Sequence, residues 1–374
     1  MQFLPNEQQA MIRDGVRKFA EGTLKGGATA RDAAGTTPAD VLKQLAELGV
    51  FALTSDEKHG GLGLDLGAAV LAIEELAAAD AGVALLVVQQ HLVAMGFLAQ
   101  VASQPMHAEW LKSLAAGDPL CVLLHGEDAV HRDVETVATR AEKTATGWRL
   151  NGVKPDVFGA ALAQVSIVTA QTDAGLTAFA VQFSTPGVTV SKPTDPLGLR
   201  SAALATVTLE NVEIPDAYLL GTLGDAATPL RHVLVRARLG VSAIAVGVAR
   251  EALRLGGRYA NERQQFGKPI ATFQPIQWQV ANSAVEIDVA RLLLHRAAWA
   301  LDHTRNAEPL VAMARLTAAE TATRVSDRAI QLHGGYGYTR EFTVERLYRD
   351  AWTLEGLFGS PGLQRVRLAQ SLAA

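Results

Sequence analysis

The sequence predicts an α+β protein, mostly α. A helical N-terminal domain is expected over residues 1–119, a middle antiparallel β-barrel or sandwich over 120–222, and a helical bundle over 223–374. Three observations predict it. Alanine and leucine dominate a chain that is 49% hydrophobic and only 19% charged, which favours helices around a large core. From Pro119 the texture changes to short β-branched and aromatic runs separated by Asn-Gly and Pro-Gly turns. After Gly221 long helical patterns return and persist to the end.

Taken in order, Asn6 to Phe19 has helical spacing, with Gln8 near an asparagine N-cap. Thr37 or Pro38 opens a helix over Val41 to Leu48. The glycine loop Glu57 to Asp65 has no Lys-Ser/Thr after it, so it reads as a turn into a long helix carrying Glu74-Glu75. The strands are expected at Cys121–Leu124, Trp148–Gly152, Val165–Thr169, Phe179–Phe183 and Thr206–Leu209. In the C-terminal unit, Arg238 to Asn261 is nearly uninterrupted. Its small residues (Gly240, Ala243, Ala245, Gly247, Ala249) predict close helix packing, between subunits as well as within them. A second helix begins at Phe273-Gln274, with Ile287, Ala290, Leu294 and Ala297 on one stripe. A third runs from Pro309 to His333.

Composition narrows the function classes. A net charge of −4 without a basic stripe argues against nucleic acid or an anionic membrane as partner. The single Cys121 excludes an internal disulfide and argues against a cysteine metal site, so no metal is expected. The start of the chain lacks signal-peptide architecture, and the apolar run Ala79 to Leu98 is interrupted by Asp80, Gln89, Gln90 and His91. The expectation is a cytoplasmic protein with no membrane span.

The most informative stretch runs from Gln331 to Arg365. Gly334, Gly335 and Gly337 break a helix, Tyr336 and Tyr338 bracket the last glycine, and Asp350 with nearby arginines suggests a structural charge network. Upstream stand Asn151-Gly152-Val153-Lys154, Leu197-Gly198-Leu199-Arg200-Ser201 and Tyr259 to Ile270 followed by Phe273-Gln274. With these motifs in this order, nearly the whole chain resembles the acyl-CoA dehydrogenase family.

That resemblance implies FAD as cofactor and α,β-desaturation of an acyl-CoA thioester: a carboxylate removes the α-proton while the β-hydride leaves for the flavin. It also implies roles residue by residue. Arg263 matches the arginine that reaches the FAD pyrophosphate across a subunit interface, and Phe266, Gln274, Gln331, Gly335 and Ser360 fall on other FAD-contact positions. Arg238 matches a residue that helps hold CoA. The catalytic base is missing, because Phe358 stands at the usual glutamate position and Ala237 at the alternative one. Glu355 is the only nearby carboxylate and a weak candidate for a relocated base. On the flavin-ring side, Gly126-Glu127-Asp128 replaces Thr-Glu-Pro and Asp156-Val157-Phe158 replaces Trp-Ile-Thr. Such selective loss resembles the non-catalytic subunit of a heterotetramer, completing the FAD site of a homologous subunit. A homo- or hetero-oligomer, dimer or tetramer, is therefore expected. The alternatives are a self-sufficient flavoenzyme with Glu355 or Asp156 as base, and a scaffold that binds neither ligand.

Overall fold

The computed structural model describes residues 4–101, 105–127, 137–304 and 306–373. The N-terminal helices are α1 (Glu7–Phe19), α2 (Ala28–Ala34), α3 (Ala39–Glu47), α4 (Leu66–Ala79), α5 (Ala81–Val87), α6 (Gly96–Val101) and α7 (Pro105–Ala115). A π-helical stretch, Val88–Met95, joins α5 to α6. The N-terminus of α1 is capped as expected but by a different partner. Asn6 accepts from the Gln9 backbone while Gln9 reaches back to Asn6, so Gln9 rather than Gln8 completes the capping box. Asp65 caps α4 by accepting from the backbone N–H of Ala68 at 2.8 Å, which makes the preceding glycine loop a helix entrance.

The strands are β1 (Cys121–Leu124), β2 (Arg140–Lys143), β3 (Gly147–Val157), β4 (Val165–Thr172), β5 (Gly175–Gln182), β6 (Val188–Val190), β7 (Ala205–Pro215) and β8 (Leu219–Leu220). They form one sheet in the order β6-β7-β3-β2-β4-β5-β8, with β1 beside β4. The expected antiparallel pairing holds along most of the sheet, but β1 and β2 each run parallel to β4. Parallel neighbours need a long crossover, and the chain between β1 and β4 supplies it. Register shifts between β3 and β7 fall at Leu150/Gly152 and at Lys154/Val157. At the second, Asp156 takes a left-handed backbone (φ 52°), so the strand bends and re-aims the residues that follow.

The C-terminal bundle comprises α8 (Ala227–Glu262), a hairpin of β9 (Gln264–Gln265) and β10 (Lys268–Pro269), then α9 (Gln274–His303), α10 (Glu308–His333), α11 (Val344–Glu355) and α12 (Pro361–Ala373). Two stretches, Ala81–Val101 and Ala227–Glu262, are long and apolar enough to cross a bilayer, yet 100% and 89% of their apolar windows are buried inside the protein. The small residues of α8 pack within the chain, as one half of the expectation had it, and being buried they leave no face of their own for a neighbour. A Cβ on Gly240 would meet Val88 at 2.8 Å, and one on Gly247 would meet the Glu74 carbonyl at 2.4 Å. Surface left for a neighbour lies on α9 instead. Trp278, Val285, Val289, Leu292 and Trp299 form an exposed stripe opposite the buried Ile287, Ala290, Leu294 and Ala297.

Charges lock the domains together. Buried Glu75 accepts from Arg17 at 2.8 Å and from Arg250 at 2.6 Å, while Glu74 accepts from Arg291 at 3.0 Å. Asp350 on α11 accepts from the Leu199 backbone at 2.6 Å, and Arg349 holds Asp32 at 2.8 Å. The expected charge network around Asp350 is therefore a clasp between bundle, sheet domain and α2. Burial pushes the Asp350 carboxyl up to about 7, against the pull of Arg346.

Candidate functional site

Five elements converge on an inner cleft: the end of β1, the bulge of β3, α5 with its π-helical extension, α8, and the turn after α11. Its cavity is ≈ 70 Å³ and is lined by Gln89, His125, Asp156, Phe158, Leu234 and Phe358, among others. Small-molecule sites usually measure about 300–1,000 Å³. Phe158 and Phe358 are the largest side chains in its wall. Phe158 is 7% exposed and packs into the main core, with its carbonyl accepting from Gln89 Nε2 at 3.4 Å. Phe358 packs against the same core from a left-handed turn (φ 51°).

Two buried arginines fix that turn. Arg238 Nε donates to the Phe358 carbonyl at 2.9 Å, and Arg315 Nη2 donates to the carbonyls of Glu355 at 3.1 Å and Leu357 at 3.0 Å. Arg315 thus caps the last carbonyls of α11, and its burial lowers its pKa to about 10. Arg238 is 3% exposed. Its guanidinium holds the turn at the base position and lies 3.6 Å from Glu308, and it also edges a polar cleft with Arg231 and Arg367. Ala237 is fully buried next to it. The turn that should carry a base is built with care and presents a ring.

The remaining wall of the cleft is equally structural. Lys154, fully buried, donates to Glu127 Oε1 at 2.6 Å, to the Thr169 carbonyl at 2.8 Å and to the His125 carbonyl at 3.3 Å. Glu127 also accepts from the Thr139 backbone at 3.0 Å. Burial lowers the Lys154 pKa to about 8, and Glu127 partly offsets this. The pair explains why a lysine after Asn-Gly and a glutamate after Gly126 are both present: they pin β1 to β3. Asp128 lies outside the described residues.

Two sequence candidates sit away from the cavity lining and have another task. Glu355 Oε1 accepts from Thr323 Oγ1 at 2.6 Å, which ties its carboxylate to α10. Ser360 Oγ accepts from the Leu363 backbone at 3.3 Å and so caps α12. Asp156 does line the cavity, as its only carboxylate among the described residues.

The other candidates gather at the outer end of the bundle. Tyr259 stacks on His333 at 4.2 Å, which sets the end of α8 beside the end of α10. Arg263 ends α8, and its carbonyl accepts from the Ile270 backbone at 2.8 Å, which folds the hairpin back and brings Gln274 near. Arg263, Phe266, Gln274, Gln331 and Gly335 are all exposed. Phe266 is 90% exposed in a left-handed conformation (φ 53°), edge-on to Phe273. Tyr338 is also 90% exposed. A Cβ on Gly337 would strike the Ile330 carbonyl at 2.6 Å, whereas one on Gly335 would meet open space. Gly337 is there for the turn, and Gly335 leaves bare backbone facing outward. Among the described residues the Arg263 guanidinium has no ion-pair partner within its own chain.

The fit to FAD therefore divides. A free guanidinium, two exposed amides and bare glycine backbone suit a pyrophosphate and adenine lying on this outer surface. The flavin ring and a thioester do not fit the inner cleft, which Phe158 and Phe358 fill. Sequence reasoning missed Gln89 as a site residue, whose buried Oε1 beside that cleft has no hydrogen-bond partner among the described residues, and the α9 stripe. The stripe was visible as a second apolar face on a helix whose first face was already assigned to the core.

Comparison with known proteins accords with this architecture. The chain matches the N-terminal domain of acyl-CoA dehydrogenase over residues 6–118, the middle domain over 124–212 and the C-terminal domain over 229–373. A probable acyl-CoA dehydrogenase of Bacillus subtilis (strain 168) is 34% identical over 100% of both chains. A 3-(aryl)acrylate reductase of Clostridium sporogenes is 33% identical over 98% of each. The solved butyryl-CoA dehydrogenase of Megasphaera elsdenii superposes with a TM-score of 0.96 at 30% identity, covering 100% of both chains. The chain belongs to the acyl-CoA dehydrogenase family.

Proposed function

We propose that this chain is the non-catalytic partner subunit of a heteromeric, FAD-dependent acyl-CoA dehydrogenase. Its inner cleft is packed shut, and its outer surface completes the FAD site of a homologous subunit. The observation that carries the reading is the contrast between the ≈ 70 Å³ cavity beside Phe158 and Phe358 and the exposed Arg263, which has no ion-pair partner among the described residues. No step of the oxidation is assigned to this chain. Its part is to bind and orient: Arg263 toward the pyrophosphate, Gln274, Gln331 and Gly335 toward the adenine end. The apolar α9 stripe supports assembly into a dimer or dimer of dimers, now through α9. Acyl-CoA is a ligand of the complex and the location is cytoplasmic in this proposal.

The test is co-expression with a homologous dehydrogenase subunit that keeps Thr-Glu-Pro, Trp-Ile-Thr and Glu-Gly-Thr. The two chains should co-purify with flavin bound, and Arg263→Ala should strip that flavin. A second reading, a self-sufficient enzyme, has one observation in its favour, namely Asp156 at the cleft. If the isolated chain oxidises acyl-CoA and Asp156→Asn or Glu355→Gln abolishes it, that second reading replaces the first.

A further inference from the structure

A second cavity lies apart from both regions of the FAD site. It measures ≈ 210 Å³ and opens between α7 and the sheet. Its floor is apolar, made by Leu98, Leu114, Cys121, Ile167, Val181 and Leu220. Trp110 and Tyr218, ring centroids 5.5 Å apart, wall one side. The mouth carries Ser113 and Gln182, both exposed.

The floor has no use for water. Ser166 Oγ donates to the Val181 carbonyl at 3.2 Å, and the Cys121 N–H donates to Gln90 Oε1 at 2.7 Å. The backbones of β4 and β5 are paired through Ser166↔Val181 and Ile167↔Ala180. Burial raises the Cys121 thiol to about 12, so it is an inert part of the wall. An apolar cavity with satisfied walls stays dry and gains by taking up apolar atoms, and an engineered cavity of about 150 Å³ already admits benzene. This one is larger. Its rim, unlike its floor, offers uncharged hydrogen-bonding groups. Lys112, beside Ser113, pairs with Glu109 at 2.9 Å, and Asp216, two residues before Tyr218, pairs with Lys143.

We infer that this cavity is a binding site for a small neutral amphipathic molecule. A single aromatic ring or short alkyl chain occupies the floor, and a hydroxyl or amide meets Ser113, Gln182 and Tyr218. A carboxylate is disfavoured, because among the described residues no cation lines the cavity to offset its desolvation. The inference stands apart from the subunit proposal, since none of these residues belongs to the inner cleft or to the Arg263 surface.

Calorimetric titration of the full chain tests it, with benzyl alcohol as the neutral probe and benzoate as its anionic counterpart. Benzyl alcohol should bind saturably at one site per chain, and benzoate at least about tenfold more weakly. Ala180→Leu, which puts a larger side chain into the cavity, should abolish saturable binding. Ser113→Trp, at an exposed position on the mouth, should weaken it at least about tenfold without touching the core. Absence of saturable benzyl alcohol binding, or binding that survives Ser113→Trp undiminished, overturns the site. Equal affinity for benzoate overturns the assignment of a neutral ligand.

Discussion

The inner cleft and the outer end of the bundle are the two places where the candidate site residues gather, and the chain uses their side chains oppositely. At the cleft most side chains serve the chain's own fold: Lys154 is buried on Glu127, Arg238 and Arg315 hold a turn, and two phenylalanines line the cavity. At the outer end Arg263, Phe266, Gln331 and Tyr338 protrude with little support from their own chain. A side chain that serves its own fold is buried and satisfied. One available to a neighbour is left exposed, its polar groups hydrated and its apolar surface, such as the Phe266 ring, in water until a neighbour covers it. The comparison teaches that one chain can bury and pair its polar groups in one region and leave them exposed in another, which is the pattern the proposed subunit role requires.

The largest effect expected is on stability, at the cleft. Lys154→Met leaves Glu127 and two carbonyls without their cation, and breaking a buried pair in this way costs ~3–5 kcal/mol. Urea denaturation should show that loss. A change below about 1 kcal/mol would mean the cleft wall is not the structural element described here.

A smaller, pH-dependent effect should come from the clasp. The Asp350 carboxyl, raised by burial from 3.8 to about 7, holds its proton more tightly folded than unfolded. Its contribution to stability is therefore fully present below pH 3.8 and is lost as pH rises through about 7. Asp350→Asn keeps an acceptor for the Leu199 N–H and has no such titration. The wild type should lose stability relative to this variant between pH 4 and 7, measured as a difference in thermal midpoints. A difference that is flat, or of opposite sign, would contradict the account.

The smallest effect is expected at Glu355. Its carboxylate is occupied by Thr323, and a glutamine can accept the same hydrogen bond. Glu355→Gln should change stability by no more than about 0.5 kcal/mol and leave turnover of the complex nearly unchanged. A large drop in turnover would make Glu355 a participant in catalysis.

Much of the fold was legible because its signals are local. Texture changes at Pro119 and Gly221 mark the sheet, and Pro309 at a first turn marks α10. The parallel placement of β1 was not legible, since strand direction depends on where a crossover returns the chain. Glycines on α8 could be seen to allow close approach, but not whether the approaching helix belongs to the same chain. Phe158 and Phe358 could be read as substitutions at family positions. That they meet across one small cavity, with Arg238 gripping the carbonyl behind one of them, required three dimensions. Ser360 shows the reverse case: a hydroxyl at a cofactor position that caps its own helix.

Flavin content tests the central claim most directly. The isolated chain, incubated with FAD and desalted, should retain well under one flavin per chain by visible absorbance. The reconstituted complex with the homologous subunit should retain flavin, and Arg263→Ala should remove it while leaving the stability of the isolated chain within about 0.5 kcal/mol. One tightly held flavin per isolated chain, unaffected by Arg263→Ala, would contradict the account.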